Sequence, residues 1–195
     1  MNHFLSQLHS ELRRTHTTHA GATHAPKDVP QGQHKEYPRM ERIALPSPSP
    51  LSTTLADAIT TRESAISGDA HEQLSLSELG TLFGLAIGKK THTFKRNYPS
   101  GGSLYPVETY LIATGIELQT PAVFHYHPSD HALERLWDLP EHFSMKDVSI
   151  YGATLPFSLL IVFASVWNRS SAKYGHLAYL HALLETGHMS QNVLL

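Results

Sequence analysis

"KRNYPSGGSLYPVETYLIA" spans residues 95–113, and its reading decides the fold. Gly101 and Gly102 stand side by side between Pro99 and Pro106, directly ahead of a run that must be buried. One glycine or one proline is enough to make a turn. A glycine pair suggests backbone that comes close to another group, because glycine has no Cβ to hold that group away. A tight turn before a strand is the plainer alternative, and the stretch by itself leaves both open.

Working outward, Val107–Thr114 is strand-like in its β-branched and aromatic content. Ala122–His127 and Leu133–Trp137 flank the turn-rich "PSDHA" and predict a hairpin. Phe157–Val166 is apolar on both faces, the pattern of a central strand. A helix is expected over Ser75–Ile87. Ser75 and Glu78 form a capping box, Leu79, Leu82, Phe83 and Ala86 recur at helical spacing, and Gly88 marks the stop. Shorter helices are expected at Leu55–Thr61 and from Pro140 to Lys146. The last predicted helix, Tyr174–Leu195, is apolar or small nearly all round, which predicts burial on most sides, by a second subunit as well as by its own domain.

The first 50 residues lack sustained periodicity apart from a possible short helix near Phe4–Leu12. Proline and polar residues dominate there, so 1–50 is read as an extended or flexible arm and 51–195 as the domain. The chain of 195 residues has a formal net charge of -2 and no basic stripe, which argues against nucleic acid as a partner. It contains no cysteine, so disulfides and thiolate metal sites are excluded. Its longest apolar run is too short to span a bilayer, and no signal peptide is evident, so a cytoplasmic protein is the expectation. Among 15 histidines, His125, His127 and His131 cluster. His125 and His127 share a strand face, but two ligands make no metal site, and solvated histidines are expected there.

Two motifs in the right order carry a resemblance. "YPSGGSLYPVETYLIA" is similar to the Pro-Ser-[Ala/Gly]-Gly-x-Leu-Tyr-Pro-x-Glu-x-Tyr signature of SagB-type dehydrogenases, a branch of the FMN-dependent nitroreductase superfamily. "KYGHLAYLHALLETGHMSQNVLL" resembles that family's Lys-Tyr-Gly block and its Leu-Leu-[Glu/Asp]-x-Gly-His-x-x-Gln-Asn block. The hairpin "VFHYHPSDHALERL" and the lead-in "EYPRMERIALPSP" agree, so the likeness covers residues 35–195.

The resemblance implies an α+β homodimer around a mixed, mostly antiparallel sheet flanked by helices, with FMN at the dimer interface. It implies oxidation of thiazoline or oxazoline rings to thiazoles or oxazoles in a ribosomally made peptide, with a cyclodehydratase as a further partner. Lys173 becomes the base that removes a carbon-bound proton, and Tyr174 a proton relay. FMN contacts are implied at Pro99, Ser100, Gly101, Gly102 and Leu104. Arg62 and Ser64 in "TTRESAI" resemble a degraded Arg-Arg-Ser-x-Arg flavin motif, in which an arginine grips phosphate bidentately.

The chain departs from that pattern at several positions. Glu63 and Ile66 replace two arginines of the flavin motif, and Leu177 and Leu180 stand where arginines are frequent. Lys89, Lys90, Lys95 and Arg96 are candidate substitutes for the missing phosphate ligand. Family members continue past the final "NVLL", so the expectation is a domain incomplete at its C-terminal side. Two other readings stay open: a non-catalytic scaffold in a peptide-modifying complex, and a general nitroreductase using NAD(P)H.

Overall fold

The computed structural model describes residues 30–63, 73–117, 119–143, 148 and 157–195. Five strands form one sheet: β1 Glu41–Ala44, β2 Val107–Ala113, β3 Ala122–His127, β4 Ala132–Asp138 and β5 Leu159–Ser165, in the order β1-β4-β3-β2-β5. All four pairings are antiparallel, and a lone parallel bridge joins Leu74 to Ile116. The helices are α1 Leu55–Thr61, α2 Leu76–Ala86, α3 Asn168–Tyr174 and α4 Leu177–Leu194. The α+β class is as expected.

The capping box at α2 is formed. Ser75 Oγ accepts the Glu78 N–H at 3.1 Å, and the Glu78 carboxylate accepts the Ser75 N–H at 2.8 Å. Its buried face, Leu79, Phe83 and Ala86, packs with Phe124, Tyr126, Leu133 and Leu111 of the sheet and with Ala182 and Met189 of α4. The core therefore lies between one sheet face and α2 with α4. Asn192 fastens the end of α4, donating to Ala86 O at 3.0 Å and to Asn97 O at 3.2 Å.

Four expectations need correction. Residues 30–50, read as arm, lie on the domain: Glu41–Ala44 is an edge strand, and Gly80 and Gly84 of α2 leave room for Pro46 and Pro48. Alternation in "ERIA" is too short to announce a strand whose partner lies ninety residues away. β5 is not central among the described strands; it pairs with β2 alone, and Val162 is exposed. The last helix does not begin at Tyr174. Gly175, at φ 51°, separates α3 from α4 and ends α3 at Tyr174. Nor is α4 buried all round, for Tyr179, Leu180, Leu183, Leu184 and Leu194 are exposed. The expected helix at 140–146 falls partly outside the described residues; Glu141 and His142 are in a turn.

The second sheet face is also covered, which overturns the expectation of solvated histidines. Along β3, Phe124 and Tyr126 belong to the helical core, while His125 and His127, 0% and 2% exposed, point the other way. Residues 33–37 lie across that face. Lys35 N–H bonds Glu108 at 2.7 Å, Tyr37 N–H bonds Glu134 at 3.1 Å, and the Tyr37 ring meets His125 at 5.2 Å.

Candidate active site

The glycine pair opens a short 3-10 turn, Gly101–Ser103. Gly102, Ser103 and Tyr105 have φ of 62°, 55° and 48°. Ser103 and Tyr105 each hold a conformation that costs a non-glycine residue on the order of 1–3 kcal/mol, and such strain gathers at functional sites. The turn is pinned from within. Ser100 Oγ accepts the Tyr105 N–H at 2.9 Å and hydrogen-bonds the Glu185 carboxylate. From outside, Gly32 N–H bonds Ser103 O at 3.0 Å and Gln31 Nε2 donates to Gly102 O at 3.3 Å.

What the glycines come close to is a set of side chains. A Cβ at Gly102 would lie 2.7 Å from Tyr174 Oη and 2.9 Å from Lys173 Nζ. One at Gly101 would lie 3.1 Å from His181 Nδ1 and 3.6 Å from the Tyr174 ring. Tyr174 and His181 meet edge to face at 4.5 Å, and Lys173 Nζ stands 5.4 Å from the Tyr174 ring centre. The break at Gly175 makes this possible, because it ends α3 on Lys173–Tyr174 and restarts the chain so that α4 presents His181 to the same turn. Two motifs seventy residues apart thus form one site.

His181 escaped the sequence reading. Its Nδ1 is buried and has no hydrogen-bond partner. The available signal was its spacing: His181 and Glu185 are four apart on one helix face, and Glu185 belongs to a recognised block. Burial pushes the Glu185 carboxyl up to about 7, against the hydrogen bonds from Ser100 and the Val107 N–H and the charges of Arg96 and Arg169. Its second oxygen, Oε2, has no partner.

On the far sheet face lies a saturated charged layer. His125 joins two buried carboxylates, Nε2 to Glu108 at 2.9 Å and Nδ1 to Glu134 at 2.8 Å. Both are satisfied only when both ring nitrogens carry hydrogen. Arg169 pairs with Glu108, and Arg42 with Glu134 at 2.7 Å. Burial pushes both carboxyls up, but the His125 hydrogen bond, together with Arg169 at Glu108 and the Tyr37 N–H and Arg42 at Glu134, leaves them below the usual range.

Other predicted positions are more dispersed. Pro99 is exposed, and Leu104 is buried, 1% exposed. Arg62 ends α1, where its N–H bonds Ala58 O. Ser64 and Ile66 lie outside the described residues. Arg96 is unsuited to replace a phosphate ligand: it is buried, donates to Tyr98 Oη at 2.7 Å and to Gln33 O at 2.8 Å, and stacks over Tyr105. Lys95 is exposed, and Lys89 and Lys90 are exposed beside a cleft of about 480 Å³ that also takes in His92 and Asn97. A larger cleft of about 800 Å³, between α1, α2 and the end of α4, holds none of the glycine-turn residues.

These residues fit one end of a flavin. A side-chain-free turn, an orphaned buried nitrogen and a convergent lysine and tyrosine suit the polar edge of a flat ring. Lys95 is the exposed cation closest in sequence to the turn, with Lys89 and Lys90 further upstream.

No family model matches the chain. It is 24% identical over 123 residues to a candidate nitroreductase of Methanocaldococcus jannaschii, covering 63% of this chain and 62% of that one. It is 32% identical over 110 residues to the microcin B17-processing protein McbC of Escherichia coli, covering 52% of this chain and 39% of McbC. The match thus spans less than two thirds of either relative. Among solved structures, the E. coli microcin synthetase McbBCD complex with truncated pro-MccB17 bound aligns at TM-score 0.58 and 26% identity, over 75% of this chain and 59% of that one. A candidate nitroreductase from Ralstonia eutropha aligns at TM-score 0.65 and 23% identity, over 78% and 69%. The chain has a nitroreductase-like α+β fold, and its sequence relatives include McbC.

Proposed function

We propose that this chain is an FMN-dependent oxidoreductase of the nitroreductase superfamily, of the SagB type, that dehydrogenates azoline rings in a ribosomally made peptide. The observation that carries the reading is the convergence of Lys173 Nζ and Tyr174 Oη on Gly102. The Gly101–Gly102 backbone, Lys173 and Tyr174 would hold the ring end of FMN, with Ser100 fixing the turn from beneath. When bound, FMN supplies the hydride acceptor. Lys173 takes the proton from one azoline carbon as a hydride equivalent leaves its neighbour, so that a ring double bond forms and the heterocycle becomes aromatic. Tyr174 Oη, beside the lysine, holds Nζ in place and passes the proton on.

Such a base supports the azoline reading over simple hydride shuttling from NAD(P)H, which needs no carbon–proton base. A peptide substrate and a cyclodehydratase partner fit the likeness to a chain of a microcin synthetase complex. A homodimer through α4 is part of the proposal. Leu180, Leu183, Leu184 and Leu194 are exposed, and a Cβ added at Gly187 would meet nothing within 4 Å, leaving room for a second helix to approach. No described helix is long and apolar enough to cross a membrane.

The test is the visible spectrum of the purified protein together with turnover of an azoline peptide. A flavin band and conversion to the azole, with loss of two hydrogens, are expected. Flavin-free protein that gains no activity on adding FMN would overturn the reading.

A further inference from the structure

Three side chains on the sheet face opposite the core are poorly explained by packing. His34, Glu36 and His127 each offer a ligand atom, and these atoms lie within 4.8 Å of one another. Glu36 Oε1 is 3.2 Å from His34 Nε2 and 3.8 Å from His127 Nε2. Both ring nitrogens are nevertheless buried without a hydrogen-bond partner, and so is His34 Nδ1. The His127 side chain is 3% exposed, so its unpaired nitrogen carries a full desolvation penalty unless something binds it. The rings stand edge to face at 4.5 Å.

We infer that His34, Glu36 and His127 form a site for a divalent transition-metal ion, best matched by Zn²⁺. Two imidazoles and a carboxylate are borderline ligands of the kind Zn²⁺ takes. With bonds of about 2.0–2.2 Å, tetrahedral ligand atoms sit roughly 3.3–3.5 Å apart, close to the two spacings that involve Glu36. Glu36 is 58% exposed, which provides the entry path and leaves the fourth position to water. Asp130 stands behind His127. His127 Nδ1 accepts the Asp130 N–H at 3.1 Å, so metal at Nε2 exchanges that bond for one from Nδ1–H to the Asp130 carboxylate, which lies 3.6 Å away and must close in to accept it. Asp130 and Glu36 offset the positive charge of the neighbouring Arg42, which pairs with Asp130.

The site's position suggests what it is for. Gln31 and Gly32 bond the glycine turn, and Lys35 and Tyr37 bond Glu108 and Glu134. A metal at His34 and Glu36 staples the middle of this segment to β3, and so fixes the strap that touches the turn.

The experiment titrates Zn²⁺, and Co²⁺ as a coloured substitute, into the full chain, its His34→Ala and Glu36→Gln variants and their double variant. Binding is read by calorimetry, by the intense visible bands of four-coordinate Co²⁺ and by the metal-dependent shift in Tm. The expectation is one tight equivalent per chain, weakened about 10-fold or more by either single change and abolished in the double variant, with Tm of the metal-free proteins nearly equal. Glu36 is exposed, so its variant folds irrespective of the outcome. An Asp130→Ala variant should weaken binding by roughly 10–100-fold. No stoichiometric binding, or binding that persists unchanged in the double variant and therefore belongs to other histidines such as His16, His19 and His24, would overturn the inference.

Discussion

Two polar regions flank the sheet, and they are built on opposite principles. The Glu108–His125–Glu134 layer is fully buried and fully partnered: each carboxylate oxygen and each imidazole nitrogen has a hydrogen-bonding or charged neighbour. The cluster at the glycine turn is half-exposed, and its members converge without saturating one another. His181 Nδ1 and Glu185 Oε2 have no partner, and Ser103 and Tyr105 hold left-handed backbone. Saturated buried charge specifies one structure, whereas unsaturated groups held in place are available to a ligand. Charge alone would have pointed to the wrong face.

Five changes separate these roles. Lys173→Ala should lower azoline oxidation by about 10²–10⁴-fold while leaving the far-ultraviolet spectrum and Tm nearly unchanged, since in the proposed mechanism the lysine acts on substrate and not on the fold. Tyr174→Phe should be milder if its hydroxyl only holds the lysine. Glu108→Ala should do the reverse and destabilise the protein by about 3–5 kcal/mol in a urea titration, because the buried Arg169 loses its carboxylate partner and His125 Nε2 loses its hydrogen-bond partner. If the two variants fail in the same way, the contrast between a structural layer and a working site is void.

Gly102→Ala combines a positive φ, costing about 1–2 kcal/mol, with a Cβ against Lys173 and Tyr174. Turnover should fall more steeply than stability. The smallest expected effect is in pH. Glu108 and Glu134, held below the ordinary 4.5, contribute stability above that value and lose it as pH falls through their folded values. Glu185 has the opposite sign. Raised from 4.5 to about 7, it favours the folded state most below 4.5, and that contribution is lost as pH rises through about 7. Tm measured across this window should decline in the parent and stay flatter in Glu185→Gln.

Local signals carried much of the fold. The capping box of α2, the hairpin β3–β4 and strand β2 are written in neighbouring residues. The site was legible in half, because Gly101–Gly102 and Lys173–Tyr174 are motifs, while the third member, His181, reaches the turn only through the break at Gly175. The buried histidines were misread for the same physical reason that β1 was. What buries them, and what pairs with β4, is residues 33–44, a segment whose own sequence is polar and whose structure comes from what it covers. Apolar character in α4 and β5 predicted burial that the chain does not supply from within its described residues.

The central claim is that the glycine turn with Lys173 and Tyr174 receives a flavin ring. Its most direct test is an equilibrium titration of FMN, followed by visible absorbance and flavin fluorescence, into the parent and a Gly101→Val variant side by side. The account predicts saturable binding of one FMN per chain in the parent, weakened at least 10-fold in the variant with its fold retained, because a branched side chain would enter the space shared by His181, Tyr174 and the ring. Equal affinity in the two proteins, or no saturable binding in the parent, would contradict it.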